Sequence, residues 1–411
     1  MVLNYIWVGF FLIAFVVALI KLIFFNDLQV FPDMLQSTFD MAKTGFEISI
    51  GLTGIMTLWL GLMRIGEKGG MVPIISRFVG PFFSRLFPEV PKNHPAIGSI
   101  IMNFSANILG LDNAATPLGL KAMNELQDIN PNKDVASNAQ IMFLVLNASG
   151  LTIIPITIMA DRVMLGSTDP TSIFIPTLIA TFFSTFAGLL YMCLRQRINL
   201  LDPVLLAYIV GVTAMIGGII YYFSGLSPDE IQKQSSLATG IIIFSVIISF
   251  ILLGIRRKIA IFETFIEGAK EGFTTSIKII PFLVGILVAI GVFRKSGTLD
   301  YISNGIAWTV EAAGLNSDFV PALPVALLKP LTGQGARSMM LEVTKAHGGP
   351  DEFVGQTASI FRGCAETTLY LLALYFGSVG IRNTRYAVVG GLVADLAGVI
   401  AGIFVAYMFF H

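Results

Sequence analysis

Apolar residues form long uninterrupted runs along the chain, and polar residues are concentrated in short stretches between them. The hydrocarbon core of a bilayer is about 30 Å thick, so a spanning helix needs about 20 apolar residues. Runs of that length fall at residues 3–25, 47–65, 172–194, 202–223, 236–255, 273–293 and 385–410. The pattern predicts an all-α polytopic membrane protein embedded in the lipid bilayer. The first run lacks a basic start and a cleavage site, so we interpret it as a retained span.

Other apolar regions are interrupted by polar residues. Residues 94–128 and 317–346 break near the middle at GLDNAATP and KPLTGQGARS, and neither half is long enough to cross alone. We predict a re-entrant helical hairpin in each region. Residues 136–164 and 352–380 have spanning length but contain LNASGLTIIP and CAETTLY, which predict broken transmembrane helices.

The order of these parts repeats along the chain. AKTGF at 42–46 and AKEGF at 269–273 each introduce a span, and an amphipathic stretch, a hairpin, a broken span and a full span follow in both halves. We interpret residues 1–200 as a first repeat and residues 201–411 as a second. On the order of five crossings separate the matching spans, and an odd number inverts the second repeat.

Positively charged residues indicate the orientation, because Lys and Arg accumulate on the cytoplasmic side. With the N-terminus inside, the inner segments hold more of these residues than the outer ones, although Arg294 and Lys295 are outside. We predict a bacterial inner (cytoplasmic) membrane protein with a cytoplasmic N-terminus, an external C-terminus and about nine crossings. The amphipathic residues 31–46 and 72–87 are predicted to lie along the membrane interface.

Composition and motifs argue against several functions. Lys plus Arg and Asp plus Glu both number 26, so no net charge is available to attract nucleic acid. Cys193 and Cys364 lie in apolar segments without a CxxC pattern, and the histidines are isolated, so neither a metal site nor a cofactor is predicted. The chain lacks GxxxxGK[ST], HExxH and GxSxG, and we predict that it is not an enzyme.

The tip of the first predicted hairpin, NFSANILGLDNAATP, contains more polar side chains than a turn needs. Ser105, Asp112 and Thr116 are equally well explained as caps for backbone groups that lose their helical partners. The amides beyond those caps are predicted to face a wet cavity and to contact a small-molecule or ion substrate. These amides are Asn103, Asn107 and Asn113.

The second predicted hairpin combines a glycine-rich turn with cations. Thr332, Gln334 and Arg337 surround the turn, and Lys329 precedes it. Cations and backbone N–H groups at a helix N-terminus suit a carboxylate or a phosphate, so this tip is predicted to bind an anionic group of the substrate. The alternative is that Arg337 extends to the outer surface and binds no ligand.

The two broken spans carry polar residues at equivalent positions. Glu366 is the most informative, because burial of a carboxyl near the middle of a span is expected to favour its neutral form. We predict that Glu366 binds a coupling ion, H⁺ or Na⁺. The alternative is a structural ion pair with Arg362, one helical turn earlier. The predicted substrate contacts here are Asn147 and Ser149 in the first break and Thr367 and Thr368 in the second.

The final span contains Asp395 within a run of small residues, GGLVADLAGVIAG. Gly390, Gly391 and Gly398 indicate close helix packing. Asp395 is either a second intramembrane carboxylate of the site or a hydrogen-bond partner of a neighbouring helix.

These motifs resemble a known family of membrane proteins. NFSANILGLDNAATPLGLKAM with LNASGLTIIP looks like spore maturation protein A, and PLTGQGARSMM, ASIFRGCAETTLYLLALYFGSVGIRNTRY and GGLVADLAG resemble spore maturation protein B. The resemblance covers nearly the whole chain and implies a fusion of the two within the nucleoside-recognition (gate) family. That family is also similar to parts of concentrative nucleoside transporters and of the ferrous iron transporter B membrane domain. Where the B type has S-T-D-T-T, this chain reads CAETT, which keeps a carboxylate at Glu366 but lengthens it by one carbon.

The sequence therefore predicts a secondary transporter of a small polar or anionic solute, nucleoside-like or a small organic acid, coupled to H⁺ or Na⁺. Its site would lie near the midplane, between the hairpins and the broken spans. The hairpin tips lack an aromatic side chain to stack on a base, so the resemblance does not define a nucleoside as the solute. The alternative is a non-transporting scaffold of a spore-maturation-type complex, whose amides saturate one another. Direction of transport and assembly as a homo-oligomer are left open.

Overall fold

The computed structural model describes residues 2–91, 93–108, 112–150, 155–226 and 228–411. Regular structure in those residues is helical, apart from an isolated bridge between Val135 and Asn383. The prediction of an all-α chain is therefore confirmed.

Within the described ranges, 6 helices are long and apolar enough to cross a membrane. They are Trp7–Phe25, Val30–Gly69, Phe174–Gln196, Pro203–Ser224, Lys233–Arg256 and Ala387–Phe410. The chain is a multi-pass membrane protein. The orientation of its termini stays a prediction.

The helices of the first part of the chain are α1 (Val2–Phe25), α2 (Val30–Gly69), α3 (Met71–Leu86), α4 (Pro95–Ile108), α5 (Asp112–Asp128), α6 (Asn138–Ala148), α7 (Ile156–Met164) and α8 (Phe174–Gln196). Two further helices follow, α9 (Pro203–Ser224) and α10 (Pro228–Arg256). The remaining helices are α11 (Ile261–Lys295), α12 (Thr298–Ala312), α13 (Leu323–Leu328), α14 (Gly333–Ala346), α15 (Phe353–Gly363), α16 (Thr368–Ser378) and α17 (Ala387–Phe410), with a 3₁₀ turn at Val320–Ala322.

The series α2 to α8 and the series α11 to α17 have the same order. Each begins with a long helix, and a left-handed glycine, Gly70 at φ 86° or Gly297 at φ 84°, is the N-cap of the helix that follows. A short helix, a helical pair and a span in two pieces follow, and a full-length helix ends the series. The predicted order of parts is present. Inversion of the second series, the re-entrant path of the hairpins and the division at residue 200 stay predictions.

The long helices α2 and α11 have 40 and 35 residues, or roughly 60 and 52 Å at about 1.5 Å per residue. Residues 31–46, predicted to lie along the membrane interface, begin α2 and are continuous with the predicted span at 47–65. Pro32 lies in the first turn, where proline is tolerated, and no proline follows before Pro73 to end the helix.

The repeated AK(T/E)GF motif marks a close approach of α2 and α11. A Cβ atom at Gly272 would lie 2.5 Å from the carbonyl oxygen of Met56, and one at Gly45 would lie 3.1 Å from Val284. Each glycine thus leaves room for the other helix at the point of contact. Small residues allow membrane helices to pack closely in this way.

The chain divides into two compact units. The first comprises Met1–Leu60, Thr157–Pro170 and Gly268–Arg362, and the second comprises Gly61–Ile156, Thr171–Glu267 and Gly363–His411. The first unit holds α7, α13, α14 and α15, and the second holds α4, α5, α6, α8, α16 and α17. Each interrupted span therefore contributes one piece to each unit.

An aromatic stack runs through the core of the second unit. Phe83, Phe104, Phe143 and Tyr375 come from α3, α4, α6 and α16, and their successive ring centroids are 4.3, 5.7 and 5.3 Å apart. This stack ties the first helical pair to both interrupted spans, because α4, α6 and α16 each contribute a ring.

Candidate solute and ion site

In the second unit, α6 and α16 meet at their interrupted ends. The backbone N–H of Glu366 donates to the carbonyl oxygen of Ala148 over 2.8 Å. Gly150 lies beside this bond at φ 71°. A Cβ atom at Gly150 would lie 2.9 Å from the backbone nitrogen of Glu366. The two breaks are thus joined backbone to backbone.

Replacing Gly150 with alanine is expected to lower the melting temperature of the detergent-solubilised protein more than replacing Gly166. Gly166 also has a positive φ, 82°, but nothing lies within 4 Å of a Cβ atom there. Both changes incur roughly 1–2 kcal/mol of left-handed strain. Only Gly150→Ala also collides with the backbone of Ala365 and Glu366. Equal melting temperatures for the two variants would contradict the close approach of Gly150 to the backbone of Ala365 and Glu366.

Asn107 links the first helical pair to the first break. Its amide nitrogen donates to Asn147 Oδ1 at 2.7 Å and to Asn103 Oδ1 at 3.4 Å. Asn103 donates to the Ala115 carbonyl oxygen on α5, and Asn147 donates to that of Phe143, both at 2.8 Å. The side chains of Asn103 and Asn147 therefore each donate one hydrogen bond and accept one within the protein. These bonds hold the helical pair and the break in place.

Two of the hydroxyl groups at the breaks also form hydrogen bonds within the protein. Ser149 Oγ donates to the Leu146 carbonyl oxygen, and Thr368 Oγ1 donates to Asp395 Oδ2, both at 2.8 Å. Thr367 is buried and is the N-cap residue of α16. The bond from Thr368 attaches Asp395 to the neighbouring helix α16. This agrees with the alternative in which Asp395 is a hydrogen-bond partner of a neighbouring helix.

Glu366 is exposed, whereas its neighbours Ala365 and Thr367 are buried. The expectation that its carboxyl is buried is therefore wrong. The physical reason is the break itself, where the chain leaves helical geometry and the Glu366 N–H turns toward Ala148. The predicted residue Asn113 begins α5 with Asp112, but the side chains of both lie outside the described residues.

The second helical pair belongs to the first unit. Thr332 is the N-cap of α14, and its Oγ1 accepts from the Gly335 N–H over 3.2 Å. Within the described ranges, the buried Oε1 of Gln334 and Oγ of Ser338 have no hydrogen-bond partner. An unpaired buried acceptor costs about 1–3 kcal/mol, so these two oxygens suit a polar ligand or water.

Arg337 forms a buried ion pair that sequence reasoning missed. Its Nε lies 3.0 and 2.9 Å from the two carboxylate oxygens of Asp161 on α7, and both residues are buried. The alternative in which Arg337 extends to the outer surface is wrong, because the residue is buried. Its charge is balanced by Asp161, so it does not present an uncompensated cation to an anionic substrate. The sequence did contain a feature that could have identified Asp161, because it is a carboxylate within an interrupted apolar span.

The residue after Asp161 anchors a second polar cluster in the first unit. Arg162 is fully buried, donates to Asp351 Oδ1 at 2.9 Å and also donates to the Pro350 carbonyl oxygen. Thr168 donates to the other Asp351 oxygen from its backbone N–H at 2.7 Å and from its hydroxyl at 2.8 Å. The cluster ties the chain after α7 to the start of α15.

Acidification is expected to erase the stabilising effect of Asp351. Burial opposes its ionisation, but hydrogen bonds from Ser167 and Thr168 and the charge of Arg162 outweigh burial and hold the pKa of Asp351 below its ordinary 3.8. Because the pKa is lowered by folding, the contribution is complete above 3.8 and is lost as pH falls through the folded-state pKa. Melting temperatures of wild type and Asp351→Asn should differ near neutral pH and converge in acid; a constant difference would contradict the assignment.

The fold and these interrupted helices define a multi-pass helical membrane protein with polar breaks inside its apolar segments. Residues 49–161 match the family model described as Gate, nucleoside recognition. The chain is 42% identical over 187 residues to spore maturation protein A of Bacillus subtilis (strain 168), covering 46% of this chain and 92% of that protein. It is also 42% identical over 165 residues to spore maturation protein B of the same organism, covering 40% of this chain and 90% of that protein.

The chain belongs to the spore maturation protein A and B family, as a fused A/B-type membrane protein. The resemblance proposed from the motifs is confirmed.

Proposed function

We propose that this protein is a secondary transporter of a small polar solute, and that Glu366 binds the coupling ion, H⁺ or Na⁺. The observation that carries the proposal is the backbone hydrogen bond that joins two interrupted spans beside an exposed carboxylate. A carboxylate at membrane depth is costly against lipid, and such residues face a water-filled cavity or a partner. Broken helices that surround such a cavity are the usual construction of solute sites in transporters.

Helix lengths support a position of the breaks near the midplane. α6 and α15, which precede the breaks, have 11 residues each. At about 1.5 Å per residue, 11 residues span roughly 16 Å, about half of the hydrocarbon core.

We further propose that the solute is uncharged, in the manner of a nucleoside. The ion pair between Arg337 and Asp161 removes the main argument for an anion. The description of the matching family model points to nucleosides. Among the predicted contacts in the second unit, Asn107 is the best placed to bind the solute, because it is only half-buried.

A thermal-shift screen tests this proposal. Purified protein is heated with nucleosides, small organic acids or amino acids, with and without Na⁺ and at several pH values. A nucleoside should raise the melting temperature, and the rise should require Na⁺ or depend on pH. Binding at 100 times the dissociation constant stabilises a folded protein by about 2.7 kcal/mol. Stabilisation by organic acids alone would refute the uncharged solute.

A membrane scaffold is the second candidate, and the bonding of Asn103 and Asn147 favours it. Both amides are satisfied within the protein, as expected of groups that only hold a turn. A scaffold should respond to no solute or ion in the same screen.

We also propose that the protein lies in the bacterial cytoplasmic membrane with its N-terminus inside, as the positive charges indicate.

A further inference from the structure

A basic recess of about 590 Å³ lies in the second unit, where α8 ends and α17 begins. Arg195, Arg197 and Arg385 line it together with Tyr191 and Tyr386. All three guanidinium groups belong to exposed residues. Among the residues that the structure describes, no carboxylate lies within ion-pair distance of them. Glu89 accepts from Asn138, which also lines the recess, at 2.7 Å. Three cations therefore open into one recess, and Glu89 offsets only part of their charge.

The recess is held in shape by bonds between its walls. Arg385 donates through one nitrogen to the Ala136 carbonyl oxygen and to Asn138 Oδ1, both at 3.0 Å, and the Tyr386 hydroxyl donates to the same Oδ1 at 2.7 Å. The guanidinium groups of Arg195 and Arg385 lie 5.5 and 5.1 Å from the Tyr386 ring centroid, within cation–π range. Because an arginine has five N–H donors, Arg385 keeps donors for a ligand.

The backbone adds to this arrangement. Arg197 and Arg385 adopt left-handed conformations, with φ of 55° and 50°. Such conformations are uncommon for residues other than glycine and persist where the surrounding structure fixes them. Arg197 caps α8, and its N–H donates to the carbonyl oxygens of Cys193 and Leu194.

The recess lies at the depth of lipid headgroups. Phe174–Gln196 and Ala387–Phe410 are both candidate membrane spans, so the end of one and the start of the other mark a membrane surface. Tyrosines are enriched at that depth. On the membrane side of the arginines, Leu194 and Val389 are 67% and 50% exposed. The recess thus has cations where a headgroup lies and apolar surface where acyl chains begin.

We infer that this recess binds the phosphate headgroup of an anionic phospholipid. Guanidinium groups match phosphate oxygens with paired N–H donors, and basic pockets between membrane helices are a recurring way to hold acidic lipids. The adjoining apolar surface favours a lipid over free phosphate, because free phosphate has no acyl chain to cover it. The net positive charge favours an anionic lipid over a zwitterionic one.

The test compares two variants of equal charge. Arg195→Gln with Arg197→Asn removes two cations of the recess, and asparagine suits the left-handed position. The control, Arg256→Gln with Lys258→Asn, removes two exposed cations at the end of another span, and Lys258 is likewise left-handed at φ 56°. Full-length protein in detergent is titrated with phosphatidylglycerol, phosphatidylcholine or inorganic phosphate, and bound lipid is counted by native mass spectrometry and melting temperature.

Phosphatidylglycerol should bind wild type and the control variant, and should bind the recess variant more weakly by on the order of 30-fold. Phosphatidylcholine and inorganic phosphate should raise the melting temperature little. Equal losses in both variants would refute the recess as the site. Stabilisation by inorganic phosphate as large as that by phosphatidylglycerol would refute a lipid as the source of the phosphate.

Discussion

Replacing Glu366 with glutamine is expected to abolish ion-driven solute accumulation in proteoliposomes. Glutamine keeps the length and polarity of the side chain but cannot bind or release a proton or pair with Na⁺. Loss of one charged partner typically costs 2–5 kcal/mol, so we expect cation affinity to fall by about 100-fold or more. Initial uptake rates under an imposed proton or sodium gradient give the measurement.

Two further variants make this result specific. Glu366→Asp keeps the carboxylate, and resembles the B-type S-T-D-T-T pattern, so it should retain coupled uptake. Glu352→Gln removes another exposed carboxylate, outside the breaks, and should behave as wild type. Coupled uptake by Glu366→Gln at the wild-type rate would remove Glu366 from the mechanism.

Replacing Asp161 with asparagine is expected to destabilise the protein by roughly 3–5 kcal/mol, because Arg337 would be left as a buried charge without its partner. The joint replacement Asp161→Leu with Arg337→Met removes both charges and should cost much less. Unfolding by denaturant in detergent, in wild type and these variants, separates the two cases.

An exposed ion pair serves as the control. Glu267 accepts from Arg64 at 2.6 Å and also pairs with Lys68, but all three side chains are substantially exposed. Glu267→Gln should therefore destabilise the protein much less than Asp161→Asn, because exposed ion pairs contribute little to stability. If Asp161→Asn costs no more than Glu267→Gln, the Arg337 pair does not stabilise the first unit.

Local features of the fold follow from the sequence because their causes are local. Apolar runs define the spans. α6 ends at Ala148 within the polar stretch LNASGLTIIP, and α13 ends and α14 begins around the stretch KPLTGQGARS. The first part of α2 escaped prediction because its amphipathic pattern resembles an interfacial helix, yet nothing between Pro32 and Gly69 stops the helix.

The partners within the site could not be predicted, because they are distant in sequence. Asp161 and Arg337 are 176 residues apart, and no local pattern connects them. The exposure of Glu366 likewise depends on how its backbone bonds to Ala148, 218 positions earlier. The sequence pattern therefore identified polar groups within apolar segments, but it could not separate those that hold the breaks from those left to bind a ligand.

The amides illustrate this separation. Asn103 and Asn147 are occupied by protein bonds, and Asn107 connects them. Replacement of Asn103 should therefore affect folding before it affects solute affinity. In the first unit, the buried Oε1 of Gln334 has no hydrogen-bond partner among the described residues, so this predicted contact leaves an acceptor for a ligand.

The most direct test of the proposed function is uptake of a labelled nucleoside into proteoliposomes that contain the purified chain, with an inward proton or sodium gradient. The proposal predicts accumulation above the external concentration, loss of that accumulation when an ionophore collapses the gradient, and no accumulation with Glu366→Gln. Folded, inserted protein that accumulates no nucleoside, organic acid or amino acid under either gradient would contradict the proposal and favour the scaffold.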